Sequence, residues 1–147
     1  MCIKRGEFNA KAQRHKDIKA QRMENEISYK IIGAAIEVHR ALGGPGLLES
    51  IYESALCYEL RLRGLQIQTQ VIVPVKYKNM IVKESLCLDI LVENKVIIEV
   101  KATEKEHAIR QAQLLTYLRL TGVKLGLIIN FGQDSVKDGV HRVVNCP

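Results

Sequence analysis

Three charged residues interrupt the most apolar stretch of this sequence, which runs from Leu86 to Lys101. The stretch is typical of two β-strands joined by a polar turn at residues 93–95, because aliphatic runs flank a Glu-Asn-Lys triplet. Within these runs lie Asp89, Glu99 and Lys101. Charged side chains are rarely buried in a sheet unless they are paired or bind a metal. The three residues therefore constrain both the fold and the chemistry of the chain.

Side chains alternate between the two faces of a strand, so the charged residues of this stretch can lie on the same face of the sheet. Ile97, Glu99 and Lys101 share one face of the second strand. If Asp89 stands opposite Glu99, two carboxylates are held about 5 Å apart. Such a pair raises one pKa or binds a cation, and oxygen ligands suit Mg²⁺ or Mn²⁺. On the same face, Lys101 could stabilise an anionic transition state or help to position an attacking water.

The length of the turn decides whether the two carboxylates meet. In a hairpin without a bulge, Asp89 and Glu99 share a face only if the loop has an odd number of residues. A two-residue turn at Glu93–Asn94 would place them on opposite faces. We therefore expect a three-residue connection or a bulge.

Length and composition indicate one globular domain. The chain has 147 residues, of which 47% are hydrophobic and 26% charged, and this is enough for a proper core. It contains no apolar run long enough for a membrane span and no secretory signal, so we expect a cytoplasmic protein with no membrane partner. Its four cysteines show no CxxC spacing, which favours reduced thiols over disulfides or zinc ligands.

Most of the net charge of +6 lies in the first 22 residues. They contain seven Lys or Arg residues and two acids, which gives +5 and leaves +1 for residues 23–147. We expect residues 1–22 to be a disordered, solvated leader, with a phosphate-binding arm as the alternative. A third possibility is that Met23 is the true start. Residues 23–147 then form the single domain.

Hydrophobic periodicity predicts the order helix, helix, three strands, helix, strand, strand. The helices are expected over Asn25–Leu42, with Asn25 as N-cap, Leu47–Arg63 and Lys105–Thr121. The strands are expected over Gln66–Tyr77, Ile81–Val92, Lys95–Lys101, Leu125–Asn130 and His141–Asn145. The helical crossover between the third and fourth strands predicts that these two are parallel. The fold class is therefore α/β or α+β, with a mixed sheet flanked by helices.

Asp89, followed after nine residues by Glu99-Val100-Lys101, resembles the D…(D/E)xK signature of the PD-(D/E)XK nuclease superfamily. Two further stretches extend the resemblance. Gln113-Leu-Leu-Thr-Tyr117 is similar to the QxxxY helix motif of the exonuclease-like branch. Gly46-Leu-Leu-Glu49-Ser-Ile-Tyr52 is similar to the motif that names the GxxExxY protein family, another branch. The resemblance runs from about Glu24 to Asn145.

The resemblance implies a restriction-endonuclease-like αβββαβ core with an extra N-terminal helix. It also implies that Asp89 and Glu99 are metal ligands and that Lys101 positions water or stabilises charge. We expect Glu49 to be a third acid at the metal site, directly or through water, ahead of Glu53. The alternative for Glu49 is a solvated acid in the first turn of a helix, where a carboxylate is favoured in any case.

Weaker candidates lie on the predicted helices. Gln113 and Tyr117 share one helical face, where they could orient Lys101, the water or a phosphate, or simply form a polar surface. We expect Arg110, Tyr52 and His39 to be possible substrate contacts, although a structural role at a helix end is favoured for His39.

The resemblance implies a Mg²⁺- or Mn²⁺-dependent nuclease that hydrolyses phosphodiester bonds in DNA, with RNA as a second possible substrate. The alternative is a non-catalytic nuclease-fold module that binds or assembles with a partner protein, because a fold does not fix a function. A third reading is a purely structural network of ionic side chains. Many relatives of this fold act as dimers or with a helper subunit, so a homodimer or a helper protein is a possible partner beside nucleic acid.

Overall fold

A computed structural model describes the backbone of residues 5–146 and the side chains of residues 9–146. The first half of the chain forms two helices and two strands: α1 (Arg5–Ala41), α2 (Glu49–Leu62), β1 (Ile67–Tyr77) and β2 (Met80–Val92). The second half forms β3 (Val96–Lys101), α3 (Ile109–Thr121), β4 (Leu125–Asn130), a short 3-10 helix (Val136–Gly139) and β5 (Val140–Val144). The order of helices and strands is the predicted one, which confirms the fold class.

Five strands form one mixed sheet in the order β1-β2-β3-β4-β5. The pair β3–β4 is parallel, as predicted from the crossover through α3, and the other neighbours are antiparallel. In the β2–β3 hairpin Val92 pairs with Val96. The turn therefore has three residues, and the register condition for Asp89 and Glu99 is met.

The two faces of the sheet are covered by different helices. Helices α1 and α2 pack on one face, where Ile31 belongs to the same buried cluster as Ile98. Helix α3 packs on the other face, where Leu114 contributes to a cluster with Ile97. Since Glu99 and Lys101 alternate with Ile98 along β3, their side chains belong to the α3 face.

The β1–β2 hairpin changes from one face of the sheet to the other near its middle. Ile67 and Ile90 pack with the α1–α2 cluster, whereas Val71 and Leu88 pack with the α3 cluster. Between Ile67 and Val71, Gln70 has a φ of 51°, a left-handed conformation that is uncommon for residues other than glycine. The part of the hairpin that contains Val71 and Leu88 therefore packs towards α3. Asp89 lies between Leu88 and Ile90, at the point where the buried face changes.

Helix α1 begins at Arg5, so the predicted start at Asn25 is wrong. Residues 5–22, which we expected to be a disordered leader, are helical, and residues 1–4 lie outside the described residues. The segment is rich in Ala, Lys, Gln and Arg, which are strong helix formers. The side chains of residues 9–19 are exposed, so this part of the helix has no apolar face for hydrophobic periodicity to detect. Whether translation begins at Met23 stays a prediction.

The side chains of Cys57, Cys87 and Cys146 are free thiols, as the sequence predicted for them, while Cys2 lies outside the described residues. Among the helices of residues 5–146, none combines the length and the apolarity needed to cross a membrane.

Gly126 allows α3 to pack closely on β4. A Cβ atom at this position would lie 2.8 Å from Leu114 Cδ2 and 2.9 Å from Leu114 Cγ. We expect Gly126→Ala to lower the free energy of unfolding by about 1–3 kcal/mol, because an overpacked core must shift. Urea denaturation measures this change.

Gly33→Ala is the matched control for this prediction. Its Cβ atom would meet only the guanidinium end of Arg63, at 3.2 Å, and this end can move. Alanine also favours the helix by about 1 kcal/mol over glycine. Wild-type stability in Gly126→Ala would contradict the packing of α3 described above.

Candidate active site

Asp89 and Glu99 lie next to each other on adjacent strands. Ile90 pairs with Ile98, and Asp89 and Glu99 are one step further along β2 and β3. The backbone N–H of Val100 donates to Asp89 Oδ2 at 2.9 Å. The Asp89 carboxylate is thus fixed against β3 by a backbone hydrogen bond, and the two predicted carboxylates are brought together.

The carboxyl group of Glu99 is largely removed from water. Burial raises its pKa to about 8, and the negative charge of Asp89 acts in the same direction. A backbone hydrogen bond from Asp89 and the charge of Lys101 act in the opposite direction without offsetting the burial. Glu99 Oε1 is buried and has no hydrogen-bond partner within residues 9–146. A buried oxygen without a donor, beside a second carboxylate, fits a divalent cation with oxygen ligands.

Lys101 completes the charged group at the end of β3. Lys101 pairs with Asn130 of β4 in the parallel ladder, and its side chain is half-buried. Its positive charge lowers the pKa of Glu99, so the ammonium group acts on the carboxylate pair. Asp89, Glu99 and Lys101 thus form one electrostatically coupled group.

Helix α3 presents Gln113 and Tyr117 to this group. Gln113 Nε2 donates a hydrogen bond to the Tyr117 hydroxyl at 2.9 Å. The pKa of Tyr117 is raised mainly by burial and then by the negative charges of Glu99 and Asp89. The phenol therefore lies within electrostatic range of the carboxylates, and Gln113 fixes its orientation.

The predicted third acid, Glu49, does not join the pair. Its side chain is exposed at the first turn of α2, and the charges that act on the pKa of Glu99 are those of Asp89 and Lys101. Within residues 9–146, no group of three or more His, Cys, Asp or Glu side chains could hold a metal ion. The site therefore brings together the carboxyl groups of Asp89 and Glu99, without that of Glu49.

Glu53 lies one turn beyond Glu49 on α2, and its carboxyl group interacts electrostatically with Asp89. Burial raises its pKa, and the charges of Asp89 and Glu49 raise it further. Gln70 Nε2 donates to Glu53 Oε1 at 2.7 Å. The left-handed Gln70 also accepts a hydrogen bond from the Cys87 thiol, at 3.1 Å. Sequence reasoning missed Gln70, because nothing in a polar strand residue signals a positive φ.

Two of the weaker predicted residues have structural roles instead of contacts open to a substrate. The ring of Tyr52 is fully buried and stacks on Phe131 with centroids 4.7 Å apart. Its hydroxyl donates to Gly44 O at 2.7 Å and accepts from the N–H of Leu47 at 3.2 Å. His39 is also buried. Both side chains stabilise loops, and neither presents a surface to a substrate.

His39 and Arg110 each contact a segment that follows a strand. His39 Nε2 lies 3.0 Å from Gln133 O, so this ring contacts the segment that follows β4. Arg110 Nη1 donates to Thr103 Oγ1 at 3.0 Å, which ties the start of α3 to the segment that follows β3. The guanidinium of Arg110 is therefore engaged by the protein itself.

Asn130 is a buried polar residue that the sequence did not single out. Its Oδ1 accepts from the N–H groups of Thr103 and Gly132, both at 3.0 Å. Its Nδ2 donates to Thr103 O at 2.9 Å and to Glu106 Oε1 at 3.1 Å. Glu106 Oε2 is also 3.1 Å from His141 Nε2, although their orientation does not form a hydrogen bond. This network fixes the segment that joins Lys101 to α3.

A cleft of about 570 Å³ lies beyond the ends of β3 and β4. It is lined by the glycine-rich segment before α2 and by the segments after the two strands: Pro45, Gly46, Leu47, Ala102, Glu104, Gly132, Gln133 and Asp134. The carboxylate pair does not line it. The two acids that line the cleft, Glu104 and Asp134, are exposed, whereas the carboxyl group of Glu99 is largely buried beside Asp89. The carboxylate pair is therefore the better candidate for the centre of the chemistry.

A family model of the PD-(D/E)XK nuclease superfamily matches residues 25–143. The match includes the whole sheet up to β5 and excludes the first part of α1. No curated protein matches the chain, and no solved structure matches it.

The raised pKa of Glu99 predicts how stability depends on pH. Folded Glu99 keeps its proton up to about pH 8, whereas an unfolded glutamate loses it at about pH 4.3. Between these values the folded state binds more protons than the unfolded state, so the free energy of unfolding falls as the pH rises. We expect Glu99→Gln to remove this decline and to be more stable than wild type at pH 8.

Urea denaturation at pH 5, 6.5 and 8 checks this expectation. Glu84→Gln, an exposed position on β2, is the control and should keep the wild-type decline. Parallel curves for wild type and Glu99→Gln would show that Glu99 is ionised in the folded protein.

Proposed function

Because the chain belongs to the PD-(D/E)XK nuclease superfamily, we propose that it hydrolyses phosphodiester bonds in DNA with Mg²⁺ or Mn²⁺ held by Asp89 and Glu99. The observation that carries the proposal is the buried, partnerless oxygen of Glu99 beside a second carboxylate. Without a cation, ionisation of the buried Glu99 beside Asp89 costs free energy. A bound divalent ion would satisfy both carboxylates.

Two carboxylates are a sufficient donor set for this ion. Mg²⁺ usually keeps several waters and is bound by one or two carboxylates together with phosphate oxygens of the substrate. Glu49 is therefore not needed as a direct ligand, and Glu53 is better placed to accept a hydrogen bond from a bound water. When bound, the ion would polarise the phosphate and lower the pKa of a coordinated water.

The other residues of the site act on charge and orientation. The ammonium of Lys101 stabilises negative charge that develops on the phosphate, or positions the attacking water. The Tyr117 hydroxyl, held by Gln113, donates a hydrogen bond to a phosphate oxygen or to the water. Since its pKa is raised, the phenol keeps its proton at neutral pH and remains a donor.

We also propose that the chain belongs to the GxxExxY branch of the superfamily. The motif has a physical role here, because the Tyr52 hydroxyl bridges Gly44 and Leu47 and Gly46 has a φ of 113°. Glycine and tyrosine at this spacing thus set the turn from which α2 begins. Glu49, between them, is at the helix N-terminus, where a carboxylate is stabilised.

A second candidate function is a nuclease-fold module that binds a partner without turnover. The observation that favours it is the absence of a third metal-binding side chain within residues 9–146. This candidate predicts nucleic-acid or protein binding that does not depend on Mg²⁺. The first candidate predicts cleavage that requires the metal.

Substitution of Asp89 distinguishes the two candidates. Asp89→Asn keeps an oxygen that can accept the Val100 N–H but removes the charge. We expect it, and Lys101→Ala, to lower Mn²⁺-dependent cleavage of plasmid DNA by at least about a hundredfold, because charge at the phosphate is no longer stabilised. Cleavage is measured by gel electrophoresis, with structured RNA as a parallel substrate.

Glu84→Gln serves as the control for Asp89→Asn, since it removes one carboxylate charge from an exposed position of the same strand. It should cleave like wild type. Equal cleavage by wild type, Asp89→Asn and Lys101→Ala would exclude the proposed chemistry at this site.

A further inference from the structure

The N-terminal part of α1 carries most of the excess positive charge of the chain. We call residues 9–22 the basic arm. It contains three lysines and two arginines against one aspartate, and all five cations are exposed. None of them takes part in an ion pair with any side chain of residues 9–146. The charge of the basic arm is therefore not neutralised by the domain itself.

Helical geometry places three of these five cations on the side of α1 that points away from the sheet. With 3.6 residues per turn, Lys11, Lys19 and Arg22 share one face, and Lys11 and Arg22 are about 17 Å apart along the axis. The buried residues further along α1, such as Ile31 and Val38, fall on the opposite face. The basic arm thus presents a continuous positive surface to solvent.

The basic arm leaves the domain at the end of the sheet remote from the candidate site. Asp17 and Glu24 lie beside Leu125, at the start of β4, whereas Lys101 pairs with Asn130 at its end. The strand between them is about 17 Å long. Helix α1 also covers the sheet face opposite to that of Lys101. Phosphates that contact the basic arm are therefore different from a phosphate at the carboxylate pair.

We propose that the basic arm is a second nucleic-acid contact, which binds backbone phosphates of duplex DNA away from the bond that is cut. The inference rests on the proposed function, since the substrate named there supplies the duplex. Exposed Lys and Arg side chains without partners bind phosphates through electrostatics that do not depend on base sequence. The basic arm holds the substrate, and the carboxylate pair acts on it.

A membrane surface fits the basic arm less well than nucleic acid does. Residues 9–22 contain one large apolar side chain, Ile18. An interfacial membrane helix needs a broad apolar face beneath its basic residues. The composition of the basic arm therefore favours a ligand that is bound by charge alone.

Salt dependence gives this contact a measurable signature. Each phosphate neutralised contributes about −0.9 to the slope of log K against log salt concentration. Replacing Lys11, Lys19 and Arg22 together with glutamine should reduce the slope by about 3 and weaken binding at low salt by at least about tenfold. Glutamine has a helix propensity similar to those of lysine and arginine, so α1 should keep its structure, which circular dichroism checks.

The experiment measures binding of the full chain to a fluorescent 30-base-pair DNA duplex by anisotropy, in EDTA and at several KCl concentrations. Wild type is compared with K11Q/K19Q/R22Q and with the matched control K78Q/R119Q/K137Q, which removes the same charges from exposed positions on three other segments. We expect a smaller salt-dependence slope and weaker binding in K11Q/K19Q/R22Q, and wild-type values in the control.

Four results would overturn the inference. They are wild-type binding by K11Q/K19Q/R22Q, equal weakening in the control variant, no duplex binding by wild type, or arm-dependent binding to anionic phospholipid vesicles without binding to the duplex. Cleavage with Mn²⁺ is measured separately. Arm-dependent duplex binding without any cleavage would support the inference and refute the proposed nuclease activity.

Discussion

The structure holds two carboxylates together in a largely buried position, and this costs folding free energy that no hydrogen-bond donor recovers at Glu99 Oε1. The three-residue turn between β2 and β3 keeps Asp89 and Glu99 in register. A slip of one residue would move Glu99 to the α1–α2 face, and the apolar pairing of Ile90 with Ile98 opposes that slip. The hairpin thus holds two carboxyl groups side by side, and a cation beside them favours the ionised form of both.

The segments around this pair are fixed by polar contacts rather than by apolar packing alone. Asn130 makes four hydrogen bonds that hold the segment between β3 and α3. A Cβ atom at Gly132 would lie 2.3 Å from Thr103 O, so glycine is needed for this close approach. Because α3 begins where this segment ends, Asn130 also sets the position of Gln113 and Tyr117 relative to Lys101.

Much of this architecture could be predicted from the sequence, because alternation and turn length are local properties. Hydrophobic periodicity predicted the order of helices and strands along the chain, and turn length predicted that Asp89 meets Glu99. The helical crossover predicted the parallel β3–β4 pair. The start of α1 could not be found by the search for an apolar stripe, since a helix that contacts no core has none. The position of Glu49, outside the charged group, depends on how α2 sits on the sheet. The bridge from Gln70 to Glu53 depends on a left-handed backbone that no residue type signalled.

The central claim is that the Asp89–Glu99 pair is a divalent cation site, and the ionisation of Glu99 tests it most directly. Carbon-13 NMR of labelled glutamate side chains can follow the Glu99 carboxyl during a pH titration, with Glu99→Gln to assign the signal. We predict a pKa near 8 without metal and a value well below neutral with millimolar Mg²⁺, because the ion favours the charged form. A pKa that Mg²⁺ leaves unchanged would contradict the claim.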